Sequence, residues 1–341
     1  MNAPAKISGP NIPSPAERLS LLACEDMRAV DDLILKRMES SVGLIPNLAQ
    51  HLVSAGGKRL RPLLTVATAQ LCEYDGTHHH KLAAAVEFIH SATLLHDDVV
   101  DESKLRRGRK SANLIWGNAS SILVGDFLFA RAFNLMVETG SLGALDILSR
   151  ASSVITEGEV KQLAALRDIT MQEDTYMDVI KAKTAALFAA ATEVSAVIAN
   201  RSSQERKALH DYGLSLGLAF QLVDDALDYG GFESALGKSI GDDFREGKVT
   251  LPVIRAYQSA NEKGNMKDKS FWERVITTHK QEGVDLETAV SLLRSEGALQ
   301  STMDMAVSYA KEARKALDIF PDTVWRNTLQ DLADYVVSRV N

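Results

Sequence analysis

Apolar residues recur every three to four positions over most of this chain. Leu82, Val86, Ile89 and Thr93 keep that rhythm, as do Leu123, Phe127, Ala130 and Asn134. This is the period of an α-helix that turns one stripe toward a core. Runs that alternate polar with apolar, the mark of a half-buried strand, are scarce. The prolines agree: four of the eight fall within residues 4–15, and none lies between Pro62 and Pro252. An interior proline costs a helix ~3 kcal/mol, so the gap permits long helices. The pattern predicts helices over 17–40, 44–54, 58–73, 78–101, 111–116, 119–138, 142–164, 173–198, 203–228, 233–237, 248–262, 270–279, 285–316 and 321–340. Glycine-rich or polar joints such as Gly56-Gly57, Gly140 and Gly230-Gly231 separate them, and none resembles a domain linker. The expectation is all-α: a flexible N-terminal tail over 1–16, rich in proline and serine, then one helical domain over 17–341.

Composition narrows the function. With 341 residues, 45% of them hydrophobic, the chain has ample material for a large core. A net charge of −7 argues against a nucleic-acid partner held by bulk electrostatics. Cys24 and Cys72 offer neither a disulfide framework nor metal-ligand spacing, which fits a reducing, cytoplasmic setting. The N-terminus lacks a basic stretch followed by an apolar core, and no run approaches 18 consecutive apolar residues. Neither a signal peptide nor a membrane span is therefore expected. His78-His79-His80 follows the turn signal Asp75-Gly76-Thr77 and reads as an exposed loop and helix start.

The chemistry lies in two aspartate clusters of identical spacing, Asp97-Asp98-Val-Val-Asp101 and Asp224-Asp225-Ala-Leu-Asp228, each inside an apolar helical run. On a helix Asp97 and Asp101 share one stripe, and so do Asp224 and Asp228. Two carboxylates ~6 Å apart repel by roughly 3 kcal/mol at an effective dielectric of ~20. One such cluster reads as a solvated helix end. Two with matching apolar flanks argue that cations are recruited. Mg²⁺ prefers oxygen ligands and commonly bridges carboxylates to substrate phosphates. The clusters lie 127 residues apart and make sense only if they face each other.

Basic residues gather nearby. Gly56-Gly57 precedes Lys58, Arg59 and Arg61, and glycines let backbone approach a ligand while arginine forks match phosphate oxygens. Lys104, Arg106, Arg107, Arg109 and Lys110 follow the first cluster; Lys238 and Lys248 follow the second; Lys181, Lys183 and Thr184 lie on a helix between them. Carboxylates for metals beside cations for phosphates point to a diphosphate substrate.

At this point the chain resembles the trans-polyprenyl diphosphate synthases, prenyltransferases that make long quinone side chains. The resemblance spans about 17–340 and rests on GGKRLRP at 56–62, LLHDDVVDESKLRRG at 94–108, GDFLFARAF at 125–133, KT at 183–184, QLVDDALDY at 221–229 and GKSIGDDFREGKVTLP at 237–252. It implies the isoprenoid-synthase helical bundle with a central active-site cavity. It implies that Asp97, Asp98, Asp101, Asp224, Asp225 and Asp228 hold Mg²⁺, about three ions, on an allylic diphosphate such as farnesyl or geranyl diphosphate. Arg106, Lys183, Lys238 and Lys248 match positions around that diphosphate. Lys58, Arg61, His90 and Arg107 match the site for isopentenyl diphosphate, and Gln221 and Thr184 match residues lining the reacting allyl group.

The resemblance further implies a homodimer, for which the 119–138 stretch offers a seam, and transient membrane contact for product release. The growing tail is expected to run beside the helix bearing Asp97. Small Ala92 and Thr93 stand one turn before the aspartates, Phe88 and Ile89 two turns before, and Leu145 or Leu148 offers a deeper floor. A tunnel of roughly 30 Å along that helix leaves room for many isoprene units, and a long product of about eight to ten units is expected. A class I terpene cyclase needs no second diphosphate site, a non-catalytic partner subunit loses aspartates, and a di-iron bundle needs Glu-x-x-His pairs. The motifs disfavour all three.

Overall fold

The computed structural model describes residues 13–54, 59–106, 108–230 and 241–338. They are almost wholly helical, and the departures from the expected elements have local causes. The first long helix is two, α1 (Pro15–Leu22) and α2 (Cys24–Arg37), broken at Ala23. Helix α1 starts ahead of residue 17 because Ser14 and Glu17 form a reciprocal capping box, the Ser14 N–H donating to Glu17 at 2.8 Å. Next come α3 (Leu44–Ser54), α4 (Leu60–Leu71) and α5 (His78–Val100). Beyond α5 the basic run forms a small antiparallel hairpin, β1 (Leu105–Arg106) with β2 (Arg109–Lys110), which helical periodicity did not anticipate.

Helices α6 (Ala112–Trp116), α7 (Asn118–Val137) and α8 (Leu142–Ala164) follow. The predicted 173–198 helix is interrupted. It comprises α9 (Glu173–Ile180), a π-helical turn at Lys181–Ala185, and α10 (Ala186–Ile198). Helix α11 (Ser203–Gly230) carries the second aspartate cluster. A short α12 (Asp242–Glu246) and α13 (Leu251–Glu262) come next, then α14 (Met266–Trp272), which ends in a second π turn. The predicted 285–316 helix divides at Gly297, whose φ of +69° suits glycine, into α15 (Asp285–Ser295) and α16 (Ala298–Ala316). Helix α17 (Val324–Ser338) closes the described chain. The short helix expected at 233–237 lies outside the described residues.

Helix α10 is apolar nearly all round and therefore sits at the centre. Its Leu187, Phe188, Ala190, Ala191 and Val194 are buried, and α4, α5, α8 and α11 surround it. Glycine lets the neighbours close in. A Cβ on Gly217 of α11 would meet Ala185 Cα at 2.7 Å, and one on Gly158 of α8 would meet Ala182 Cβ at 2.7 Å. Both approaches converge on the π turn. Buried hydroxyls bind α4 to α10: Thr65 donates to the Ala191 carbonyl and Ser195 to the Thr65 carbonyl, each at 2.8 Å.

Of two surface expectations, only the one for the histidine triplet needs revision. Helix α7 is long and apolar enough to cross a membrane, though 39% of its most apolar window is buried and it packs along α5. The histidine triplet does start a helix, but it is no exposed loop. His79 is 3% exposed and His80 half-buried, because both rings turn onto Asp26 of α2.

Candidate active site

Helix α5 brings Asp97, Asp98 and Asp101 to its C-terminal turn, and each meets a cation from a different segment. Lys183 of the π turn lies 3.4 Å from Asp97. Arg106 of β1 grips Asp98 through Nε and Nη2 at 2.8 and 2.7 Å. Lys248 reaches Asp101 at 2.9 Å and Glu246 at 2.6 Å. Helix α11 treats its cluster differently. Asp225 accepts a short hydrogen bond from the Tyr176 hydroxyl of α9 and another from Gln221 at 2.7 Å. Asp228 accepts from the backbone N–H groups of Asp242 and Asp243 at 3.2 and 3.1 Å, and so caps α12. Asp224 is half-buried on the same helix.

Two bridges join the clusters. Lys183 touches Asp97, while its neighbour Thr184 donates to Gln221 at 2.8 Å, one turn from Asp225. The second bridge runs from Asp228 through α12 to Lys248 and Asp101. Farther along α5, Arg61 Nη1 lies 3.2 Å from His90 Nε2, its guanidinium 4.4 Å above the Phe188 ring. Arg61, His90, Arg106, Lys183, Thr184, Gln221 and Lys248 thus lie in or beside one constellation. Lys58, Arg107 and Lys238 fall outside the described residues. Ala92 and Ile89 are fully buried and Phe88 nearly so. Thr93, on the Asp97 stripe, is half-buried and donates to the His90 carbonyl at 2.8 Å.

The electrostatics record a deficit of positive charge. Burial pushes the Asp98 carboxyl above its ordinary range; Arg106 opposes the rise while Asp97 and Asp101 add to it. Asp225 is pushed well up, by burial first and the Asp243 charge next, despite its bonds to Tyr176 and Gln221. Glu159 of α8 rises through burial and the Asp97 charge. Burial would lower Lys248, but Asp101, Asp243 and Glu246 outweigh it and raise the group. Asp98 Oδ2 is buried without a hydrogen-bond partner. An all-oxygen donor set with surplus negative charge and an orphaned carboxylate oxygen fits a hard divalent cation such as Mg²⁺.

The profile of a family described as Polyprenyl synthetase matches residues 42–293. The chain belongs to that family. Among polyprenyl synthetases, it is 44% identical to the octaprenyl diphosphate synthase of Escherichia coli (strain K12), over 95% of this chain and 98% of the relative. It is similar to a solved polyprenyl synthase from Caulobacter crescentus complexed with calcium and isoprenyl diphosphate: TM-score 0.91, 55% identity, 96% of this chain and 99% of the other. A decaprenyl diphosphate synthase structure from Rhodobacter capsulatus gives TM-score 0.91 at 53% identity, covering 96% and 100%. The all-α polyprenyl synthetase fold expected from the sequence is the one found.

Sequence reading overlooked several members of the site. Glu159 and Gln162 of α8 both hold Lys183, at 2.6 and 2.8 Å. Tyr176 and Asp243 bear on Asp225. Glu159 and Gln162, three residues apart on one face of α8, have no partner nearby in sequence; only Gly158, the point of close approach, hints at them.

Proposed function

We propose that this chain elongates an allylic diphosphate by successive trans, head-to-tail condensations with isopentenyl diphosphate. The product is a long-chain polyprenyl diphosphate of about C40–C50, suited to a quinone side chain. One observation carries the reading. Three separate segments place Lys183, Arg106 and Lys248 against the three carboxylates of α5. Alternating carboxylates and cations in one cleft suit a metal-bound diphosphate better than either charge alone.

In this reading Asp97, Asp98, Asp101, Asp224, Asp225 and Asp228 hold Mg²⁺, about three ions, whose charge stabilises the diphosphate as it departs. Arg106, Lys183, Lys238 and Lys248 grip the same leaving group and favour ionisation of the allylic C–O bond. Lys58, Arg61, His90 and Arg107 bind isopentenyl diphosphate and aim its double bond at the allylic carbon. Gln221 and Thr184 line the reacting carbons, and apolar walls keep water from the cation. A proton is then lost to the released diphosphate, and the product, one isoprene unit longer, becomes the next allylic substrate. Ala92, Thr93, Ile89 and Phe88 set how far the tail extends.

The same reading makes 17–341 one catalytic domain, cytoplasmic and homodimeric. Leu123 and Val137 of α7, exposed at 67% and 62%, support that seam. Release of the product calls for brief membrane contact. The decisive experiment incubates the purified chain with farnesyl diphosphate, isopentenyl diphosphate and Mg²⁺ and sizes the products. Long polyprenyl diphosphates are expected; a cyclised hydrocarbon, or no consumption of isopentenyl diphosphate, would overturn the proposal.

A further inference from the structure

At the opposite end of α5 from the aspartates, three ligand-type side chains converge. Asp26 of α2 presents Oδ1 to His79 Nε2 at 3.2 Å and to His80 Nε2 at 2.7 Å. All three ligand atoms lie within 4.8 Å of one another. Eighteen residues of helix separate His79 from Asp97, roughly 27 Å, so this cluster takes no part in the prenyl-transfer site.

We propose that Asp26, His79 and His80 form a second metal site, for a borderline divalent ion of the zinc class, that clamps α2 to the first turn of α5. Two imidazoles and one carboxylate are a donor set that favours zinc-like ions over Mg²⁺. Ligands about 2.0–2.1 Å from one tetrahedral ion stand roughly 3.3 Å apart. The His79–Asp26 separation already has that value, and His80 needs to withdraw by only about half an ångström. The surroundings are built for it. Gln70 of α4 donates to Asp26 Oδ2 at 2.8 Å and leaves Oδ1 for the ion, as outer partners of metal ligands do. The Tyr74 ring packs edge-on against His79, centroids 5.6 Å apart, and fixes its orientation. The positive end of α5 resists a cation, and the Asp26 carboxylate offsets it. Asp26 and His80 keep side-chain exposures of 23% and 19%, which leaves an entry path and room for a water as fourth ligand.

Cobalt(II) tests the site, because four-coordinate Co²⁺ with nitrogen ligands absorbs visible light strongly and six-coordinate oxygen sites barely do. The metal-stripped full chain is titrated with Co²⁺ in saturating Mg²⁺, which fills the aspartate clusters. We expect about one equivalent of an intense visible band, displaced by stoichiometric Zn²⁺. The band is lost in Asp26→Asn and in His80→Asn but kept in Asp224→Ala. Prenyl transfer with Mg²⁺ is unchanged in the two clamp variants. Only faint absorption in the wild-type chain means a hydrogen-bonded cluster without a metal and overturns the proposal. So does a full band in either folded clamp variant, or its loss in Asp224→Ala. If one clamp variant fails to fold by circular dichroism, the other and the wild-type titration still decide.

Discussion

The two aspartate clusters share a spacing and little else. On α5 every aspartate faces a side-chain cation: Lys183, Arg106 or Lys248. On α11 the described partners of Asp225 and Asp228 are a phenol, an amide and backbone N–H groups. Hydrogen bonds from neutral donors soften a carboxylate's charge but do not cancel it. Burial therefore drives Asp225 well above its ordinary range, with Asp243 adding to the effect, whereas Arg106 opposes the rise at Asp98. The difference teaches that a repeated motif need not mean a repeated environment. The α5 cluster meets side-chain cations of the protein itself; Asp225 of the α11 cluster is held among the described residues by neutral donors.

The largest expected effect tests what the clusters share. Asp97→Ala and Asp224→Ala should each cut turnover by about 10³-fold or more, with helical circular dichroism intact, since each removes a carboxylate that would hold the Mg²⁺ stabilising the departing diphosphate. Near wild-type turnover from either would dissolve the pairing. Next come changes specific to one side. Tyr176→Phe deprives Asp225 of a donor and should weaken apparent Mg²⁺ affinity about 10–100-fold, the usual cost of losing an outer partner of a metal ligand. An unchanged Mg²⁺ titration would show that Tyr176 serves packing alone. Arg61→Ala should raise the KM for isopentenyl diphosphate about tenfold, roughly 1.4 kcal/mol, and leave that of the allylic substrate nearly unmoved. Equal effects on both would mean the two diphosphate sites are misassigned.

Stability offers a subtler contrast. A carboxyl raised in the folded state binds more protons folded than unfolded, so its contribution falls as pH rises above the ordinary carboxylate range toward the raised value. Asp225→Asn should therefore stabilise the metal-free chain by on the order of 1 kcal/mol or more near neutrality, with a smaller gain near pH 4. Asp98→Asn should gain less, because it strands Arg106. Melting curves in chelator at both pH values check this, and an equal gain from the two substitutions would erase the distinction drawn between the clusters. The last test concerns product length, with little effect on the rate of the first addition. Ala92→Phe adds a ring to a fully buried position and should shorten the product to about C15–C20 at a stability cost of about 1–3 kcal/mol, with the first condensation preserved. Full-length product from a folded, active variant would move the tunnel off that face of α5.

The sequence made the helices and the six aspartates legible because both are local signals. Periodicity reports a core-facing stripe, and DDxxD spacing reports two carboxylates on one face. Its misses share a cause. Glu159 and Gln162 matter only because Gly158 lets α8 close on Lys183. Tyr176 matters because it meets a carboxylate 49 positions away. His79 and His80 read as exposed because Asp26, which buries them, lies 53 and 54 positions earlier. The breaks at Ala23 and at Lys181–Ala185 escaped notice because neither contains proline or glycine, the usual punctuation. Lys58, Arg107 and Lys238 stand on motif resemblance.

The π turn at Lys181–Ala185 has a consequence for how this gene can change length. An α-helix advances about 100° per residue, and a single π turn holds one residue more than that geometry requires. Deleting a residue there would mend the helix into regular α-form. The flanking α9 and α10 would keep their phase, but positions within the turn would shift, so that Lys183 and Thr184 could no longer address α5 and α11 together. The surplus residue sets where two side chains point within one continuous rod. Most surface loops of this protein should tolerate insertions and deletions, but here a deletion that improves the helix should silence the enzyme.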